Sequence, residues 1–368
     1  MAQSWWDVDL TKNTANAPQV GSAGALTSIA VDSNAYVFYT DTNQNVHQLS
    51  IVGASLSDSN LTGNATPCPP ATAVPVAGAK TGLSSFFNDI AANVVYQPPT
   101  VRETRPPAIF NPIHLLFGSL GWGDQNLDYT GFFSPGYNVL SSLVDTDDNQ
   151  HVFYINGENG DVCQLTAAPL SGSCETSWVF LDVTGSTAPQ GTQTWTTSSG
   201  QIASFNGASG VYHVVAVDSD GIVILLSYDP TSNIWSGTPF EGVAQQVSPG
   251  SGLSGLADSN GIFVFYIAND NSVHVLHNAN PDFNLTAHTT SNPSNMPPPN
   301  AAQMSSLSSF SDEYGEHVVY IGADQHVHQF VNVLGSPDTT WNDQDLTRIA
   351  TAFLESTEAP SSADDRTV

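Results

Sequence analysis

The sequence predicts an all-β protein, a six-bladed β-propeller of four-stranded antiparallel blades. Three observations carry this. Six segments repeat one pattern at intervals of 51 to 62 residues. A tryptophan- or aspartate-headed strand ending in Leu-Thr or a close variant recurs between them. Finally, only 11% of the 368 residues are charged while Gly, Pro, Asn, Ser and Thr abound, which suits many short strands joined by tight turns.

The six segments begin at Leu26, Leu83, Leu140, Ile202, Leu253 and Leu307. Each opens with a strand carrying a small residue (Ser28, Ser85, Ser142, Ser204, Gly255, Ser309), as expected where blades crowd a central axis. A Gly, Asp or Asn turn leads to a second strand rich in Val, Phe and Tyr (VFY, VVY, HVFY, HVVY). A further turn such as TDTNQN or GADQ leads to a third, VHQL or VHVL. The outer strand follows: WDVDLT at Trp6, SDSNLT ahead of Gly63, WGDQNLDYT at Trp122, WVFLDVT at Trp178, WSGTPFEG at Trp235, FNLT at Phe283 and WNDQDLT at Trp341. Seven outer strands for six inner triplets imply that the terminal copies meet where the ring closes, one being supernumerary, because an open sheet edge invites aggregation. Residues 1–350 are expected to form one domain and 351–368 a polar, disordered tail.

One repeat breaks the pattern. Between the second strand ending at Tyr96 and the third containing His114, QPPTVRETRPPAIFNP stands in place of a short turn. Proline-rich rim insertions shape or cover ligand sites, and a neutral loop expansion is the plain alternative. A second Pro-rich stretch, HTTSNPSNMPPPNAAQ from His288, falls where connections already vary. Cys68, Cys163 and Cys174 lack metal-ligand spacing and read mainly as free thiols, a Cys163–Cys174 bridge staying open.

A formal net charge of -28, from 34 acidic and 6 basic residues, repels phosphate backbones and anionic headgroups, so neither nucleic acid nor membrane is an expected partner. No apolar run is long enough for a transmembrane helix, and the start MAQSWWDVDL lacks the layout of a signal peptide. A cytoplasmic location and secretion after removal of a leader both fit, as does an oligomer. The sequons at Asn60, Asn64 and Asn284 carry little weight in a chain so rich in Asn, Ser and Thr.

His47, His114, His274 and His328 occupy one strand position, filled by Cys163 and Ile224 in the other repeats. Replacement by Ile argues for packing, and residues one blade apart are too distant to share an ion; no metal is expected. The Asp- and Asn-rich turns lack the twelve-residue calcium-loop pattern and read as hairpin chemistry. Hydrolase, phosphoryl-transfer and dinucleotide fingerprints are missing, and no cofactor is implied. Trp6, Trp122, Trp178 and Trp341 head outer strands and suit inter-blade packing, whereas Trp5 and Trp195 are freer to meet a ligand.

The W-x-x-x-D-L-T strand, the small-residue strand, H-V-x-Y-I-x-x-D and V-H-Q-L together resemble the fungal fucose-specific lectins, over nearly the whole chain. The resemblance implies inter-blade sugar pockets, each with an Arg and an acidic residue. Here the basic residues are Lys12, Lys80, Arg102, Arg105, Arg348 and Arg366, so Pro106 to Thr347 holds no cation and four blades cannot carry the arginine site. A carbohydrate-binding propeller using Asp, Asn and Trp is one reading. The other is similarity to the hetero-Diels-Alderases of fungal tropolone-sesquiterpenoid pathways, which implies small apolar or aromatic substrates. That resemblance assigns Arg102, Arg105 and Tyr96 to catalysis, by hydrogen bonds that polarise the reacting carbonyl. Trp5, Trp195, Trp341, Phe110 and His114 would bind the substrate.

Overall fold

The computed structural model describes residues 18–19, 26–31, 34–52, 55–68, 74–77, 82–88, 91–98, 101–102, 109–110, 113–118, 122–127, 135–169, 177–185, 196–240, 246–248, 252–277, 280–289, 291–292, 298–302, 305–312, 314–333 and 341–348. These form six sheets of antiparallel blades in chain order, with inner strands at Leu26–Val31, Leu83–Asn88, Pro135–Val144, Thr197–Asn206, Leu253–Asp258 and Leu307–Asp312. Blades 1, 3, 4 and 5 have four strands. Blades 2 and 6 gain a fifth at the rim, where Thr66–Pro67 and Ser291–Asn292, each leaving the blade before, pair in parallel with the outer strand. The Trp341–Asp345 strand is the outer strand of blade 6; the Trp6 copy, Arg105, Trp5, Trp195, Cys174 and the 351–368 tail lie outside the described residues. No helix of the described residues is long and apolar enough to cross a membrane.

Middle strands such as Gln150–Asn156 are buried along almost their whole length, because both faces pack on a neighbouring blade. This is why they read as unbroken Val, Phe and Tyr runs and not as an alternation. The core is accordingly a series of inter-blade layers. Phe86, Val95, Leu115 and Phe117 of blade 2 pack on Leu140, Val152, Tyr154 and Leu165 of blade 3. Phe153 and Ile155 of blade 3 meet Tyr212, Val214 and Trp235 of blade 4, and like layers join blades 1 and 2, 4 and 5, and 5 and 6. Cys163 is a buried free thiol, as the free-thiol reading has it, which rules out the Cys163–Cys174 pairing; Cys68 is disulfide-bonded, which corrects the free-thiol reading there.

Near the axis the small inner residues join adjacent blades through hydroxyls. Thr27 meets Ser85 (2.9 Å), Ser84 meets Ser142 (2.6 Å), Ser141 meets Ser204 (2.8 Å) and Ser254 meets Ser309 (2.8 Å). Between blades 4 and 5 the contact is steric instead: a Cβ on Gly255 would stand 2.1 Å from the buried Phe205 ring. Gly255→Ala therefore forces that ring off its seat, and overpacking of this kind costs about 2 kcal/mol. Denaturant unfolding checks it; an unchanged midpoint would show that the ring has room to turn aside.

Candidate functional site

The Leu-Thr signature has a local cause. In blades 1, 3, 5 and 6 the chain turns after the outer strand, and the threonine hydroxyl accepts the backbone N–H that opens the third strand: Thr62 from Val46 (3.2 Å), Thr184 from Val162 (2.8 Å), Thr286 from Val273 (2.9 Å) and Thr347 from Val327 (2.9 Å). The residue two positions before each threonine (Asn60, Asp182, Asn284, Asp345) accepts the N–H three positions on from itself, capping the turn.

This pins the outer strand in a register that brings three side chains together at the end of the blade bearing the turn from second to third strand. In blade 1, Tyr39 donates to Asp58 Oδ1 (3.0 Å) and His47 Nδ1 meets Asp58 Oδ2 (3.0 Å). Blade 5 repeats it with Tyr266, His274 and Asp282 at 2.9 Å each, and blade 2 with Tyr96 (3.2 Å), His114 (3.0 Å) and Asp124. In blade 6, His328 Nδ1 lies 3.2 Å from both oxygens of Asp343, and Tyr320 donates to the Pro299 carbonyl oxygen (3.0 Å). The Tyr and His rings sit 5.1 to 5.5 Å apart in all four blades. An acid that accepts from both fixes the Nδ1–H tautomer of the imidazole and ties three strands of one blade together. Burial, helped by the nearby carboxylates, pushes the phenols of Tyr39, Tyr96, Tyr266 and Tyr320 well above the ordinary tyrosine range, so they stay protonated donors.

The unit is edited in the other two blades. Blade 4 puts Ala216, Ile224 and Gly237 at the three positions, an apolar substitute. Blade 3 keeps Tyr154 but has Cys163 and Phe180. Its Asp182 falls at the capping position, close to Asp161. Burial first, and Asp182 second, raise Asp161 to about 6. Elsewhere the turns are Asx turns: Asp41, Asp145 and Asp218 each accept two backbone N–H groups of their own turn, with Gln44, Asp148 and Gly221 at positive φ. This is the hairpin chemistry expected of the acidic runs.

Blade 2 alone replaces that turn by a further two-stranded hairpin, in which Val101 pairs with Phe110 and Arg102 with Ile109. Tyr96 and His114 form the last rung beneath it. The structure thus brings Tyr96 and His114 together and places the backbones of Arg102 and Phe110 directly beyond them. Tyr96 is 0% and His114 5% exposed, and the Tyr96 hydroxyl is engaged by Asp124 and by the Pro75 carbonyl oxygen (2.9 Å). Both hold the base of the hairpin. Trp341, 5% exposed, stands edge-on to Phe265 (5.7 Å) in the layer between blades 5 and 6, away from blade 2; it is a packing residue. Trp178 packs on the layer between blades 2 and 3 and donates to Gln125 (3.4 Å).

Sequence reasoning missed the aspartates. The signal was available: Asp58, Asp124, Asp282 and Asp343 each stand two residues before the capping Asn or Asp of the Asn/Asp-Leu motif, on the strand face that carries the histidine.

No protein-family model matches this chain, and no curated protein matches it in sequence. Solved structures do. The lectin SapL1, in complex with alpha methyl fucoside, superposes with a TM-score of 0.54 at 13% identity, over 88% of this chain and 95% of its own. AofleA from Arthrobotrys oligospora gives 0.54 at 11% identity over 91% and 93%. The Aleuria aurantia lectin, a six-bladed propeller with a novel fucose recognition mode, gives 0.53 at 13% over 87% and 93%. At these identities the likeness is one of fold: the chain is a six-bladed β-propeller of the architecture seen in these fungal fucose lectins.

Proposed function

We propose that this chain is a small-molecule-binding propeller whose ligand chemistry is concentrated at blade 2 and not distributed round the ring. At its finest level the reading is an intermolecular hetero-Diels-Alder cyclase joining a tropolone quinone methide to a humulene-type sesquiterpene. The supporting observation is the blade 2 hairpin. It is built on a rigid, buried Tyr96–His114–Asp124 base, and its segment carries Arg102 and Arg105, in a chain with no other cation between Lys80 and Arg348.

The reaction is a concerted cycloaddition in which the heterodiene O=C–C=C and an alkene form one C–O and one C–C bond. No proton, electron or leaving group is exchanged. The protein's share is to hold the two partners in near-attack geometry and to polarise the diene oxygen. On this reading Arg102 and Arg105 donate to the tropolone oxygens, aromatic side chains including Phe110 stack on the planar diene, and the hairpin keeps water from adding to the quinone methide. Tyr96 and His114 position the hairpin from below. Arg102→Ala with Arg105→Ala is expected to lower turnover of the paired substrates at least tenfold and to erode stereoselectivity, with the fold intact by circular dichroism. Unchanged turnover and product ratio would remove the arginines from the reaction.

The second reading, a carbohydrate-binding propeller without the usual arginines, is favoured by the likeness to the fucose lectins. It predicts several equivalent, polar inter-blade sites and glycan binding that survives the same double substitution.

A further inference from the structure

The geometry points to a zinc-type divalent metal site in blade 6, formed by Asp324, His326, His328 and Asp345. One ligand atom from each lies within 4.8 Å of all the others. His326 Nδ1 is 2.8 Å from Asp345 Oδ2 and 3.8 Å from Asp324 Oδ2, and His328 Nε2 is 3.2 Å from Asp324 Oδ2. Four donors at zinc bond lengths in a tetrahedron stand about 3.3 Å apart, so small side-chain movements close the set on one ion. Two neutral imidazoles and two carboxylates balance a divalent charge, and this mixed N/O set suits zinc or its transition-metal neighbours and not calcium.

The internal repeat supplies the control. Blade 5 carries the same turn and the same His–Asp pair, with Asp270 in the place of Asp324, His274 in that of His328 and Asp282 in that of Asp343. At the two remaining positions blade 5 has Ser272, hydrogen-bonded to His274 Nε2 (2.8 Å), and the capping Asn284. Blade 6 puts His326 and Asp345 there. Two residues that a structural turn fills with a hydroxyl and an amide have both become ligand types, and they converge on one point. Asp345 divides its work: Oδ1 accepts the Arg348 N–H (2.8 Å) and keeps the cap, while Oδ2 faces His326.

The supporting groups are also in place. Asp343, 0% exposed, takes the Nδ1–H of His328 and so aims Nε2 at the cluster, the carboxylate–histidine–metal arrangement that fixes ring orientation and tautomer. Thr347 ties the outer strand to Val327 between the two histidines. His328 is buried whereas His326 and Asp324 are open to solvent, so an ion has a path in. Bound there, it would cross-link the turn, the third strand and the outer strand of the last blade.

The test is calorimetric titration of zinc chloride into the chelator-treated, tag-free full chain. One equivalent is expected to bind saturably and to raise the melting temperature with metal concentration. His326→Ser with Asp345→Asn, which gives blade 6 the residues of blade 5, should weaken that uptake at least tenfold. Cobalt(II) is a second readout on the unaltered chain, where strong visible absorption typical of four-coordinate cobalt is expected. Uptake unchanged by the double substitution, the absence of a saturable equivalent, or a pale six-coordinate cobalt spectrum would each overturn the assignment.

Discussion

Replacing Asp282 by alanine lowers the unfolding free energy by about 3–5 kcal/mol, the cost of removing one member of a buried, hydrogen-bonded polar group and stranding the others. Its carboxylate is the acceptor for both Tyr266 and His274, and all three side chains are buried, so the phenol and the imidazole lose their acceptor together. Against a total stability of order 5–15 kcal/mol, that is enough to shift the denaturant midpoint severely. Equilibrium unfolding followed by tryptophan fluorescence reads it directly. Blade 4 shows the alternative already in use: with Ala216, Ile224 and Gly237 at the three positions, nothing polar is left to satisfy. An apolar replacement of Tyr266, His274 and Asp282 together should therefore cost less than Asp282→Ala alone. A small effect of the single substitution would mean that the Tyr–His–Asp unit is not what binds the strands of a blade.

The second large effect is pH-dependent and sits in blade 3. Burial, and then the neighbouring Asp182, raise Asp161 to about 6, above the ordinary value of 3.8. The folded chain thus holds this proton more tightly than the unfolded chain. The associated stability is fully present below about pH 3.8 and is lost as the pH rises through about 6. Asp161→Asn removes the charge while keeping an acceptor for Asn159, which contacts Asp161 Oδ2. Stabilisation of up to about 3 kcal/mol is expected at pH 7.5, shrinking to nothing near pH 4. Melting curves across that range check the sign; a benefit that grew on acidification would reverse the assignment. Glu316 obeys the same logic between blades 5 and 6. Burial and then Asp258 raise it, while Asn260 donates to it (2.7 Å). Glu316→Gln should likewise stabilise at neutral pH and not in acid.

The fold was legible because the repeat is periodic and the unbroken Val/Phe/Tyr strands report burial on both faces, which isolated sheets do not show. The serine positions near the axis could be read from size alone, and the structure adds their hydroxyl pairing between blades. The site was less legible, for a reason of register. His47 lies opposite Asn60, and its partner Asp58 is two residues further along the outer strand, so the pair exists only once two strands are aligned. Without that alignment the aspartates look like surface turn residues and the histidines like isolated packing. The burial of Tyr96 was hidden for the same reason, since a phenol beside an insertion reads as open until the strands are aligned with Asp124. The blade 6 cluster was hidden by a sound argument about histidines in different blades. All four of its donors come from one blade, within a span from Asp324 to Asp345.

On the proposed function, ligand chemistry resides at one blade while the repeated polar groups hold the ring together. Native mass spectrometry separates this from the carbohydrate-binding reading, with the purified chain incubated in turn with an apolar terpenoid–polyketide extract and with a fucosylated glycan panel. One small apolar or aromatic ligand per chain, lost on Arg102→Ala with Arg105→Ala, is the predicted result. Several glycans per chain, unaffected by that substitution, would contradict it and assign the chain to the carbohydrate-binding reading.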